Sequence, residues 1–137
     1  MSSAQKSYAS WTRSTLAGDS AVAAIVGTRI TPYLRNRDDS FPSIVYSVPR
    51  EEFETESTGE IVARTAEVSV VCMARTYLDA DELAAAVIDA IEPGTQGACT
   101  VSAARVTGLE REFQDAYDGS ADLVYFTTVS AILIGTN

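Results

Sequence analysis

A chain of 137 residues, 46% hydrophobic and 21% charged, fits one globular domain. No window reaches the roughly 18 continuous apolar residues of a membrane span, and the opening MSSAQKSYASW lacks the apolar stretch of a signal peptide, so cytoplasmic synthesis is the expectation. Nineteen acidic residues against ten basic give a net charge of −9 and exclude the clustered positive charge that grips a phosphate backbone.

The first helix is expected from about Ala4 to Ala17, with Tyr8, Trp11, Thr12 and Leu16 near one face and Gly18 at its end. Asp19 reads as the N-cap of a short second helix. Val22, Ile25 and Val26 share a face there, and Gly27 follows as the C-terminal glycine. The two pieces can equally form one interrupted helix. TRITPY is a short strand marked as an edge or an end by Pro32. A polar loop, Leu34 to Pro42, leads to a strand from Ser43 to Val48, where Ile44, Tyr46 and Val48 alternate with Ser43, Val45 and Ser47. Five glutamates then fall within Glu51 to Glu60, which reads as an exposed arm or hairpin tip near residues 49–60.

The clearest strand is Ala66 to Ala74. Ala66, Val68, Val70, Cys72 and Ala74 form an apolar face, and Glu67, Ser69, Val71 and Met73 form the other. YLDADELAAAVIDAIEPG is the best helix. Asp79 is its expected cap with Glu82 three residues on, and Leu83, Val87, Ile88 and Ile91 make its apolar stripe. Alanines 84, 85, 86 and 90 let it lie close to a sheet, and Pro93 and Gly94 stop it. After a Gly-containing turn, CTVSAARVTGL is a weaker strand, and EREFQDAYDGSAD is polar and turn-rich. The last strand, Leu123 to Ile134, is apolar on both faces. Leu123, Tyr125, Val129, Ala131 and Leu133 lie on one, with Val124, Phe126, Ile132 and Ile134 on the other. Helices can cover one face; a second copy of the chain is the candidate cover for the other. The pattern is α+β: a single domain with a mostly antiparallel sheet and helices packed on one face.

Chemistry is thin. The chain has no histidine, the commonest general base. It also lacks a nucleophile elbow and a phosphate-binding glycine loop. Asp79, Asp81 and Glu82 fit the first turn of a helix, where the macrodipole favours acids. Asp115, Asp118 and Asp122 around Gly119 lack the spacing of a calcium loop and read as a turn. Arg35 and Arg37 face Asp38 and Asp39 within one loop as weak local ion pairs. Cys72 and Cys99 lie outside any CxxC pair and read as buried free thiols, with a disulfide left open if they sit on neighbouring strands. Trp11 reads as a core or interface anchor. No cofactor, metal site or catalytic set is expected, so the reading is a structural, oligomeric protein and not an enzyme.

The order of the motifs says more. LAGDSAVAAIVGTRITP precedes FPSIVYSV, then a turn with STGE, and the strand AEVSVVCMARTY runs directly into DADELAAAVIDAI. Leu16, Asp19, Val22, Val26, Gly27, Arg29, Ile30 and Pro32 carry the first part of a pattern, and Pro42, Ile44, Tyr46, Gly59, Tyr77, Leu83, Val87 and Ile91 the rest. This resembles the tail-terminator or tail-completion proteins of long-tailed bacteriophages, the group that includes the minor tail protein U-like proteins. It covers about Leu16 to Ile91; beyond Glu92 only the plan of two closing strands matches.

The resemblance implies a small α+β subunit that assembles with its own copies into a ring, commonly of six. Such a ring caps the tail tube, ends its growth and docks to the head connector. DNA passes through the lumen unbound, no membrane is involved, and the protein ends in the virion. Another neck or head-completion subunit, of a phage or a gene transfer agent, is the alternative; an unrelated enzyme or small-ligand protein is the third. On this reading Val124, Phe126, Ile132 and Ile134 are candidate subunit-interface residues. Arg29 is a candidate for an ion pair between elements or subunits, and Glu51, Glu52, Glu54 and Glu56 form a candidate lumen or docking arm.

Overall fold

The computed structural model describes residues 7–34, 40–59, 61–115 and 123–136. Helix α1 spans Tyr8–Gly18 and begins where Ser7 accepts the backbone N–H of Ser10 at 3.2 Å. It therefore starts later than Ala4; residues 4–6 lie outside the described chain. Tyr8, Trp11, Thr12 and Leu16 are its buried face, at the spacing the sequence predicts. Asp19 has extended backbone, so it ends α1 and separates it from α2, Ser20–Val26. Its carboxylate Oδ1 accepts from the backbone N–H groups of Ala21 and Val22, both at 3.0 Å. Gly27, at φ 58°, closes α2 in a region that side chains with a Cβ rarely adopt.

Among the described residues seven strands follow from Ile30 onward: β1 Ile30–Pro32, β2 Ser43–Thr55, β3 Ile61–Ala74, β4 Gly94–Gln96, β5 Cys99–Val101, β6 Ala103–Asp115 and β7 Leu123–Thr136, with α3, Tyr77–Ala90, between β3 and β4. The main sheet has the order β1-β2-β3-β7-β6, and β4 and β5 pair in a small second sheet. All pairs are antiparallel except β1 with β2. The architecture is thus the expected α+β one.

Several boundaries differ from expectation, among them the start of β3, at Ile61 and not Ala66. β2 continues seven residues past Val48, because Pro49 falls in a bulge between Ser47 and Arg50 where its missing N–H breaks no ladder bond. The weak strand after Cys99 is two strands. Ser102 divides them, donating from both its backbone N–H (2.8 Å) and its hydroxyl (3.0 Å) to the carbonyl of Ile134. β6 then runs through the polar GLEREFQD segment, which an edge strand with exposed sides accommodates.

The face of β3 carrying Ala66, Val68, Val70, Cys72 and Ala74 is wholly buried, beside Val129, Ala131 and Leu133 of β7. Leu83 and Val87 of α3 and Trp11 and Leu16 of α1 belong to the same core, and all four are fully buried. Burial of each such side chain contributes roughly 1.5–3 kcal/mol. Trp11 also donates its indole N–H to the carbonyl of Gly94 at 3.0 Å, tying α1 to β4. Ile88, expected in the α3 stripe, is only half-buried; Ala80, Ala84 and Ala90 take the sheet-facing positions with Leu83 and Val87. The cap of α3 is Thr76, whose hydroxyl accepts from the N–H of Asp79 at 3.1 Å, so Asp79 stands inside the first turn and is not the cap. Gly135 marks the closest approach of chain to chain. A Cβ there would lie 2.7 Å from the carbonyl oxygen of Thr100 and closer still to the Tyr8 hydroxyl.

Candidate functional site

The sheet has one helix-covered face and one that no described helix covers. Register assigns the uncovered face: Met73 pairs with Phe126, Val71 with Thr128, Ser69 with Ser130, Glu67 with Ile132 and Thr65 with Ile134. Paired residues point the same way. Val124 and Phe126 begin this face at one end, and Ile132 and Ile134 stand toward the other. Between them Thr128 and Ser130 interrupt the apolar row, flanked by Ser69 and Ser47 across the strands.

Val124 is fully buried. It packs with Met73 in a small second core beside Phe41, Val45, Val71 and Phe126, all within this chain. The expectation that it stands on a subunit interface is corrected accordingly: the chain covers it without help. Phe126 and Ile132 are half-buried and Ile134 is 41% exposed, so only the latter part of the candidate set faces outward.

Arg29 has neutral partners. Its Nε donates to the carbonyl of Pro42 at 2.8 Å, and its Nη2 to the carbonyl of Ile25 at 3.2 Å. Between elements it joins the last turn of α2 to the entry of β2 through carbonyl oxygens and not through the candidate ion pair. A cation at a helix C-terminus also meets the negative end of the macrodipole.

The glutamates of the arm are not equivalent. Residues 51–55 belong to β2, and the turn lies at Glu56–Gly59, closed by the Gly59 N–H on the Glu56 carbonyl at 2.8 Å. Glu52, Glu54 and Glu56 are exposed, and Glu52 pairs with Arg50 at the surface. Glu51 points to the helix-covered face and receives Arg64 Nη2 at 3.3 Å and 3.4 Å on its two oxygens. Arg64 lies between two rings, 5.0 Å from the centroid of Tyr8 and 5.4 Å from that of Phe53. This node anchors the arm to α1. Arg64 was legible only as a charge in the same alternation as Ala66 and Val68, the buried side of β3.

A second polar link was missed for the same reason. Thr127 occupies the buried alternation of β7, and its hydroxyl donates to Asp81 of α3 at 3.0 Å. Arg111 Nε donates to both oxygens of that carboxylate, at 3.0 and 3.2 Å, and this holds the Asp81 pKa below its ordinary value.

Among the described residues no group of three or more Cys, Asp or Glu side chains could hold a metal ion. No described helix is long and apolar enough to cross a membrane. Cys72 and Cys99 are both buried and free; β5 pairs with β4 and not with β3, so the neighbouring-strand condition for a disulfide is not met. An open hollow lined by Ser7, Ser10, Ser14, Gln96 and Cys99 brings together no charged side chains. The loop set Arg35, Arg37, Asp38 and Asp39 lies outside the described residues, as do Asp118, Gly119 and Asp122.

Residues 13–130 match the family model described as "Tail completion protein gp17". Among solved structures, a chain from the virion of a native gene transfer agent (GTA) particle superposes with a TM-score of 0.52 at 20% identity, over 94% of this chain and 99% of that one. At that identity the likeness is one of fold. No curated protein matches the sequence.

Proposed function

The chain belongs to the tail completion protein gp17 family, and from that premise we propose that it closes into a ring of six copies at the end of the tail tube. The ring stops tube growth and presents the surface to which the head connector docks. The work is mechanical, with no catalytic step, and the protein resides in the virion of a phage or gene transfer agent. The family match over residues 13–130 carries this reading.

Its geometry supports a lumen for DNA. The helix-free sheet face has Ser47, Ser69, Thr128 and Ser130 at its centre, and Glu52, Glu54, Glu67, Glu110 and Glu112 share the same side. Carboxylates outnumber the cations of this side, Arg50 and Arg105, so the face offers phosphates little net counter-charge and a duplex slides past such a wall instead of binding it. We assign this face to the lumen and the exposed glutamates of the arm to its rim. Ile132 and Ile134, toward the arm end of that face, then serve to seat the ring on the tube.

The test is electron microscopy of tail tubes incubated with the purified chain, together with its mass in solution. Rings at one tube end support the reading. A chain that remains monomeric and never sits at a tube end overturns it, and a label found only at the head connector assigns the chain to the neck instead.

A further inference from the structure

Among the described residues the two edges of the main sheet are open and unlike. On one side β6 is outermost from Ala103 to Asp115. On the other, β1 covers only Ile44–Tyr46 of β2, which leaves β2 outermost from Pro49 to Thr55. An open strand edge presents unpaired backbone N–H and C=O groups and templates the addition of another strand.

Exposed apolar side chains gather at these edges. Tyr33, Leu34 and Phe53 stand on the β1–β2 side. Leu109 and Phe113 stand on β6, and Tyr77 of α3 joins them through Tyr125, with ring centroids 6.4 Å apart for Tyr77–Tyr125 and 6.1 Å for Phe113–Tyr125. Tyr33 has φ 61°, a left-handed backbone that side-chain-bearing residues rarely adopt, yet its side chain is 62% exposed. Among the described residues nothing buries that side chain.

Net charge distinguishes the two stretches too: Pro49–Thr55 carries Glu51, Glu52 and Glu54 against Arg50, which already pairs with Glu52, and Ala103–Thr107 carries Arg105. Arg105 of β6 pairs with Ile132 and so projects from the helix-free face. Glu52 and Glu54 of β2 pair with Thr65 and Ala63 and project from the same face. β6 runs antiparallel to β2 within the sheet, so a copy related by rotation about a ring axis offers its β2 edge in antiparallel sense to β6.

We propose that successive copies of this chain join edge to edge, the Ala103–Thr107 half of β6 lying against Pro49–Thr55 of the next copy, with Arg105 facing its Glu52 and Glu54. Leu109 and Phe113 then approach Tyr33 and Leu34. Two different edges make a head-to-tail contact, which closes as a ring or continues as a filament but cannot stop at a two-fold dimer. The inference rests on the ring reading above and names its contact.

The test uses Arg105→Glu and the double variant Glu52→Arg/Glu54→Arg in the full chain, all at exposed positions. Sedimentation velocity at low salt reads self-association, and thermal melts check the fold. Each variant alone brings like charges together, and its association midpoint moves to at least about tenfold higher concentration. Mixed one to one, the two variants alternate around the ring and regain the parent midpoint within about threefold, as does the chain carrying all three substitutions. If the parent associates and the variants do so equally well, or if mixing fails to restore a lost association, the edge contact is overturned while the ring reading stands. A parent that remains monomeric at every concentration overturns the edge contact, and if it also never sits at a tube end the ring reading falls with it.

Discussion

Arg111 of β6 and Asp81 of α3 are joined by a two-oxygen hydrogen bond, Nε to Oδ1 at 3.0 Å and to Oδ2 at 3.2 Å. The contact holds the only helix between β3 and β4 against the far edge strand. Its buried element is Thr127, whose hydroxyl donates to the same carboxylate.

Asp81→Ala leaves that hydroxyl without its acceptor and is expected to cost about 1–3 kcal/mol in urea unfolding. Asp81→Asn keeps an acceptor and costs less, because the ion pair itself is largely solvated, with side-chain exposures of 58% and 33%. The hydrogen bond from Arg111 is the main cause of the lowered Asp81 pKa, ahead of the Thr127 bond. A depressed folded-state pKa stabilises above the unfolded value, roughly 4, and that stability is lost as pH falls through the folded value. The stability gap between parent and Asp81→Asn is therefore full at pH 6 and closes as pH falls below about 4. A gap that is the same at pH 6 and pH 2.5 contradicts the assignment.

Glu51 separates from the other arm glutamates in the same kind of measurement. Its partner Arg64 is only 13% exposed and is held between Tyr8 and Phe53. Glu51→Gln removes one carboxylate from that cation and is expected to cost about 1–2 kcal/mol, between the surface and buried limits for ion pairs. Glu54→Gln and Glu56→Gln change stability by no more than about 0.5 kcal/mol. Chemical denaturation of the three variants decides it: equal midpoints mean the Arg64 node does not bind the arm to α1.

The contrast within the arm shows what the sequence could and could not convey. Alternation gave the buried face of β3 and the burial of Tyr8, Trp11 and Leu16, because one-sided burial imposes a period that residue types report directly. Asp19 was readable because few residues both end one helix and cap the next. The run of glutamates carried no such signal: an exposed strand and an exposed loop have the same composition. β2 past Pro49 and β6 past Leu109 were hidden for that reason. Thr76 was masked as a cap by the nearer acid, Asp79. Thr128 and Ser130 are small interruptions that break the apolar row of the uncovered face. Arg64, Arg111 and Thr127 needed long-range pairing to be recognised, since each partner lies on a different element.

Both cysteines are expected to be inert in the folded chain. Burial pushes the Cys72 thiol up to about 12 and raises that of Cys99 as well. At pH 8 the thiolate fraction of Cys72 is then roughly one part in ten thousand, and the thiolate is the reactive form. A maleimide should label neither residue in buffer within minutes and both in denaturant. Mild oxidation should leave the mass of the folded monomer unchanged, with no internal disulfide. Fast labelling of one site in buffer would show that α1 or β5 opens readily.

The last contrast lies within one strand face, between Val124 and Ile134. Val124 is fully buried in the second core, so Val124→Asp places an unpaired carboxylate among Met73, Val45 and Phe126. The expected cost is at least about 3 kcal/mol, enough to remove cooperative unfolding from a marginal domain. Ile134 is 41% exposed at the other end of β7, and Ile134→Asp should keep the melting curve within about 1 kcal/mol of the parent. If this end of the face seats the ring on the tail tube, that folded variant loses tube-end binding in electron micrographs, because a carboxylate must be desolvated at the contact. Val124→Asp loses binding only by unfolding, which a melt detects independently. A folded Ile134→Asp chain that caps tubes like the parent would remove Ile134 from the docking surface and leave the edge strands as the remaining route of assembly.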